Sequence, residues 1–152
     1  MREIYTWLKF VHVLSVAAWL GGFAALLVLN SITPRHADRG GLSAYLRYAE
    51  GLGPRLIGPA SGLALLSGLV MVLVGHVGLP LWILWGLAAA VIFILIGVTL
   101  LRPLLNQLRK AAAEDGAAPV DVASVLRKQR SWFLVNLIIL ALAAWAMVLK
   151  PS

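Results

Sequence analysis

A chain of 152 residues that is 61% hydrophobic and only 12% charged lies outside the range of soluble domains, in which about a quarter of residues are charged. It contains no cysteine, which excludes disulfides, thiolate metal sites, iron–sulfur clusters and thiol catalysis. A net charge of +7 would suggest nucleic acid as the partner of a soluble protein; in a membrane protein the placement of the cations carries the information, and the partner is the lipid bilayer.

A hydrocarbon core of about 30 Å takes about 20 apolar residues of helix to cross. Three runs lack Asp, Glu, Lys and Arg: Phe10 to Leu29, Leu56 to Leu101, and Trp132 to Leu149. The first is too long for a secretory signal, whose apolar region spans about 7 to 15 residues, and reads as a retained helix over 5–30. Beyond Pro34, Gly40 and Gly41, Ser43 is placed to cap a short interfacial helix over 43–52, with Tyr45 and Tyr48 at the headgroups and Arg47 and Arg55 facing anionic lipid.

The middle run holds two crossings. Gly75, His76, Val77, Gly78, Leu79 and Pro80 punctuate a helical pattern strongly and predict a hairpin between helices over 56–76 and 80–110. The last helix, over 121–149, opens on Asp121 as a cap. The expected fold is an all-α membrane protein, a single-domain four-transmembrane-helix up-and-down bundle. Small residues, among them Gly21, Gly22, Gly62, Ser67, Gly68, Gly86 and Gly97, are placed to let helices approach closely where lipid removes the hydrophobic drive.

The two longer connections carry Arg35, Arg39, Arg47, Arg55, Arg102, Arg109, Lys110, Arg127, Lys128 and Arg130, against Arg2, Lys9 and Lys150 on the other side. The positive-inside rule therefore sets both termini outside and the longer basic loops in the cytoplasm, for a multi-pass protein of the cell (inner) membrane.

No ionisable carboxylate, lysine or arginine falls within the spans, which sets this chain apart from proton-coupled carriers. The polar candidates are His12, His76 and Asn136. His12 lies three residues beyond Lys9, about 4.5 Å of rise, and so in the outer part of the first helix; His76 closes the second helix on the same side. Two imidazoles on different helices suit one metal centre, and a haem b with His12 and His76 as axial ligands fits best, its propionates directed toward Lys9, Arg2 and Lys150. Each histidine has a plainer reading, a hydrogen bond to a neighbouring carbonyl for His12 and solvation for His76; His36 reads as solvated. Trp19, two turns after His12, packs beneath whatever His12 holds. Trp7, Trp82 and Trp132 read as belt residues and Asn136 as an interhelical hydrogen-bond donor. Copper is the alternative occupant, disfavoured by the scattered positions of Met1, Met71 and Met147.

The run Trp7-Leu8-Lys9-Phe10-Val11-His12-Val13-Leu14 leading to Trp19-Leu20-Gly21-Gly22 resembles the first helix of CopD-like membrane proteins, including a branch of unknown function. So do Pro59 with Ser67 and Gly68, Leu101-Arg102-Pro103-Leu104-Leu105, and Met147-Val148-Leu149-Lys150-Pro151. The same opening is similar to HemJ-type protoporphyrinogen oxidases, whose first helix carries a Lys-Ala-Leu-His-like motif and a Trp-x-x-Gly. That family's Pro-Arg nine residues beyond the Trp is replaced here by Leu27-Val28-Leu29. The resemblances imply a haem-associated bundle, with Lys9 and His12 as site residues, or a CopD-like copper role.

The expected function is thus that of a b-type haem protein in a redox or electron-transfer role, with a redox protein or quinone as partner. A copper transport or tolerance protein and a cofactor-free accessory subunit of a membrane complex are the alternatives. A homo-oligomer is compatible with each.

Overall fold

In the computed structural model, which describes residues 2–33, 39–76, 78–113 and 121–149, these residues are helical apart from the turns between helices. Helix α1 spans Arg2–Ile32, α2 Arg39–Leu52, α3 Gly58–Gly75, α4 Leu81–Ile96, α5 Arg102–Ala113 and α6 Val122–Leu149. Four stretches are long and apolar enough to cross a membrane: Glu3–Ile32, Gly40–Gly75, Leu81–Ala113 and Val122–Leu149. The protein is an integral membrane protein with four spans.

Its surface confirms the solvent for which it is built. Large apolar side chains such as Leu66, Leu73, Leu84, Ile94, Ile138 and Val148 point outward, while Ser15, Asn30, Ser67, Gln129 and Asn136 are buried. In lipid an apolar exterior carries no penalty, and polar side chains serve better as contacts between helices.

Pro59 and Pro103 shape the middle spans. A proline inside a helix lacks the N–H that would close an ordinary turn. Here the backbone widens by one residue around it. The π-turns Gly53–Ile57 and Gly97–Leu101 join α2 to α3 and α4 to α5, and the N–H groups of Gly58 and Arg102 reach back to the carbonyls of Gly53 and Gly97. The interfacial helix and the second span are consequently one continuous helical path. Ser43, expected as a cap, lies inside α2, which starts at Arg39.

The hairpin follows from local chemistry. His76 closes α3 in the left-handed conformation (φ 47°), Gly78 also has positive φ (73°), and Pro80 leads extended into α4. At the start of α6, the Asp121 carboxylate accepts the N–H of Ser124 at 3.2 Å, satisfying one of the unpaired donors of the first turn.

The spans meet in the order α3, α1, α6, α4, with α1 packed against both α3 and α6 and α4 held by α6. The ring does not close: α3 and α4, although joined by the hairpin, scarcely touch. At the basic end the same gap is bridged by α2 against α5, with Arg109 Nε 2.6 Å from the Glu50 carboxylate. Of the glycines expected to admit close packing, Gly22, Gly68 and Gly86 do so; a Cβ on Gly22 would lie 2.7 Å from Ile57 Cγ1, whereas Gly21, Gly62 and Gly97 face open space.

A buried polar triad ties α2 to the bundle. Tyr45 Oη donates to Gln129 Oε1 at 2.8 Å, and Asn30 Nδ2 donates to the same oxygen at 3.2 Å. The expectation that both tyrosines lie among headgroups fails for Tyr45, which is 3% exposed, while Tyr48 is exposed. Burial pays off for its ring because the hydroxyl has a fixed acceptor.

Candidate functional site

His12 is partly buried in α1 and faces α3. Its Nδ1 lies 2.8 Å from the Ala64 carbonyl oxygen and 3.2 Å from Ser67 Oγ. A carbonyl only accepts, so Nδ1 carries the proton, and in the neutral ring Nε2 keeps its lone pair. Ser67 donates its own hydroxyl to Leu63 O, which leaves its oxygen free to share the Nδ1 proton. The helices come this close because Gly68 has no side chain: a Cβ there would stand 3.0 Å from His12 Cε1. A backbone carbonyl fixing one imidazole nitrogen while the other stays bare is the arrangement typical of metal-ligating histidines.

Two adjoining apolar cavities flank this imidazole. The larger, about 120 Å³, lies at the unclosed seam between α3 and α4 and is lined by His12, Gly68, Met71, Trp82, Gly86 and Met147 among others. The smaller, about 50 Å³, runs inward past Trp19 to Ala89, Leu140 and Ala143. His12, Ala64, Leu65, Gly86 and Met147 border both. Together they form a slot entered from the side of the bundle, with glycines and alanines along its walls.

Trp19 is buried beneath the slot, edge-on to Phe93 at 4.6 Å between centroids, and Phe93 continues the ring cluster to Phe23 at 4.8 Å. Lys9 is exposed one turn from His12 and does not line either cavity. His76 is not brought to His12. It sits exposed at the end of α3, eight residues beyond Gly68, or about 12 Å of helical rise, and lines neither of the cavities that His12 borders. The hairpin's need for a polar left-handed residue accounts for its position. His36 and Lys150 lie outside the described residues.

Among the described residues no three of His, Cys, Asp and Glu gather. Met71 from α3 and Met147 from α6 line the same cavity. Their distance along the sequence hid this, and only the order in which the spans pack reveals it. A weak signal existed, since Met71 follows Gly68 by one turn and faces with it.

Asn136 differs from expectation. It is fully buried, and neither its Nδ2 nor its Oδ1 has a partner; Trp19 Nε1 is likewise unpaired. A buried unsatisfied amide destabilises by about 1 to 3 kcal/mol per group. Asn136→Val, close in volume and without polar atoms, is expected to raise the thermal unfolding midpoint in detergent. A fall would mean that a bound water or ligand satisfies the amide in the native bundle.

These features define a four-span, all-helical membrane protein with a laterally open apolar slot built around one histidine. The chain belongs to the family of predicted integral membrane proteins DUF2269, which it matches over residues 6–151. No curated protein and no solved structure matches it.

Proposed function

We propose that the slot holds a b-type haem with His12 as its axial ligand, and that the protein serves a redox or electron-transfer role in the membrane. The observation that supports this reading most is the imidazole itself, with Nδ1 tied to Ala64 O at 2.8 Å and the ring lining both apolar cavities. A flat apolar macrocycle suits walls of Ala64, Gly86, Ala89 and Ala143. The cavities are smaller than the several hundred Å³ usual for ligand sites, but their open side is the seam where α3 and α4 scarcely touch, so widening it disturbs few contacts. The resemblance of the first helix to haem-associated membrane proteins points the same way. Bound there, the haem would supply one-electron chemistry. His12 would orient it, Trp19 would close the slot beneath, and Lys9, exposed one turn away, would meet a propionate at the surface.

Titrating haem into the purified protein in nanodiscs tests this reading. A saturable shift of the Soret band at one haem per chain is expected. Gly86→Leu should weaken binding by about tenfold or more, because even a Cβ there would lie 2.5 Å from Met147 Cε and the larger side chain fills the slot. A titration with no saturable component would overturn the proposal.

One observation favours a second reading. His12, Met71 and Met147 on one cavity form an imidazole and thioether donor set of the kind that selects Cu(I). Copper bound at one ion per chain without porphyrin, and lost in Met147→Leu, would establish it in place of haem.

A further inference from the structure

At the other end of the bundle, the structure assigns a second binding site: the groove along α2 and the π-turn after it takes the phosphate of an anionic phospholipid of the inner leaflet. The groove is a shallow, open one of about 510 Å³. Ser43, Arg47, Gly51 and Arg55 line it, and at intervals of four residues they share one face. Gly51 is the notch in that face. A Cβ there would be 3.8 Å from Arg55 Nη1, so the Arg55 guanidinium folds back over the bare backbone toward Arg47, one turn further on.

The charges in the groove are unbalanced. Its one carboxylate, Glu50, is taken by Arg109 at 2.6 Å, and among the described residues neither Arg47 nor Arg55 has an acidic partner. Two guanidiniums around a notch match a phosphate, which each can meet with two parallel N–H bonds, and the Ser43 hydroxyl adds a further donor. The ligand is a lipid and not free phosphate because apolar surface is exposed beyond the groove on the same helical path: Leu63, two turns past Arg55 in α3, is 51% exposed. An acyl chain lies along that surface while the headgroup stays in the groove. Tyr48, 59% exposed on the same helix, sits at headgroup depth, and this is the end of the bundle that carries most of the cations and that the positive-inside rule sets in the anionic leaflet.

Native mass spectrometry of the full-length protein, with phosphatidylglycerol, phosphatidylcholine or inorganic phosphate added, tests the site. Wild type should retain one phosphatidylglycerol through delipidation and no phosphatidylcholine. Arg47→Gln with Arg55→Gln should lower that retention by about tenfold or more. Gly51→Leu, which keeps both charges and fills the notch, should lower it comparably, while Arg127→Gln with Lys128→Gln should not. These positions are exposed or half-exposed, and circular dichroism of each variant is expected to match wild type. Equal retention in the arginine variants, equal loss in the Arg127 and Lys128 control, or binding of inorganic phosphate without the lipid would overturn the assignment.

Discussion

His12→Ala is expected to abolish the Soret absorption of the haem-loaded protein, while His76→Ala leaves its position and intensity unchanged. The contrast follows from geometry. His12 lines the slot with its Nδ1 fixed by Ala64 O and shared with Ser67; alanine removes the imidazole and leaves a wider apolar space. Outer-shell partners of a metal ligand alone contribute about 10- to 100-fold in affinity, so loss of the ligand itself should exceed about a hundredfold. His76 is exposed in the hairpin, about 12 Å of rise beyond the level of His12, and its replacement reaches only solvent and the turn. Ser67→Ala falls between them: Ala64 O still fixes the ring, and a small spectral shift with retained binding is expected. Absorption spectra of the three variants at matched haem check this order.

Gln129→Leu is expected to destabilise the bundle by about 2 kcal/mol, and Tyr45→Phe by about 1 kcal/mol. Gln129 Oε1 accepts from both Tyr45 Oη at 2.8 Å and Asn30 Nδ2 at 3.2 Å, with all three residues buried. Leucine leaves a hydroxyl and an amide without that acceptor, in a setting where no water replaces it. The Asn30 amide still reaches Tyr45 Oη at 3.4 Å, which keeps the loss below that of two orphaned groups. Tyr45→Phe removes one donor and leaves the Asn30 to Gln129 bond in place. Since the triad fastens α2 to α1 and α6, Gln129→Leu should also release α2 first. Hydrogen exchange faster over residues 42–52 than over α3, together with thermal unfolding in detergent, measures both effects.

The four spans were legible because length and hydropathy are enough to define them: a run of about 20 apolar residues has no other stable place than the bilayer. The hairpin was equally readable from Gly75, Gly78 and Pro80, since turn residues act locally. What the sequence hid was the neighbour relation between spans. Nothing in the pattern of α3 and α4 says that hairpin partners stand apart, and yet that gap creates the slot and brings Met71 and Met147 to one cavity. The pairing of His12 with His76 rested on two histidines on different helices at comparable depth, and depth does not report which face a residue occupies: His12 faces α3 while His76 is exposed at the hairpin. Tyr45 was misplaced for a related reason. An aromatic ring with a polar tip suits a headgroup region and a buried network equally, and only the acceptor on Gln129, 84 residues away, decides between them. The π-turns escaped notice because no residue pattern distinguishes a widened turn from an ordinary one, and here the backbone absorbs the prolines within continuous helical paths.

The central claim is that this bundle carries a haem at His12. Its most direct test is the dithionite-reduced minus oxidised spectrum of the wild-type protein as purified from haem-replete cells, with haem and copper quantified in the same sample. A b-type difference spectrum at about one haem per chain, with no stoichiometric copper, is the result expected. A featureless difference spectrum, or copper at one ion per chain with no porphyrin, would contradict it.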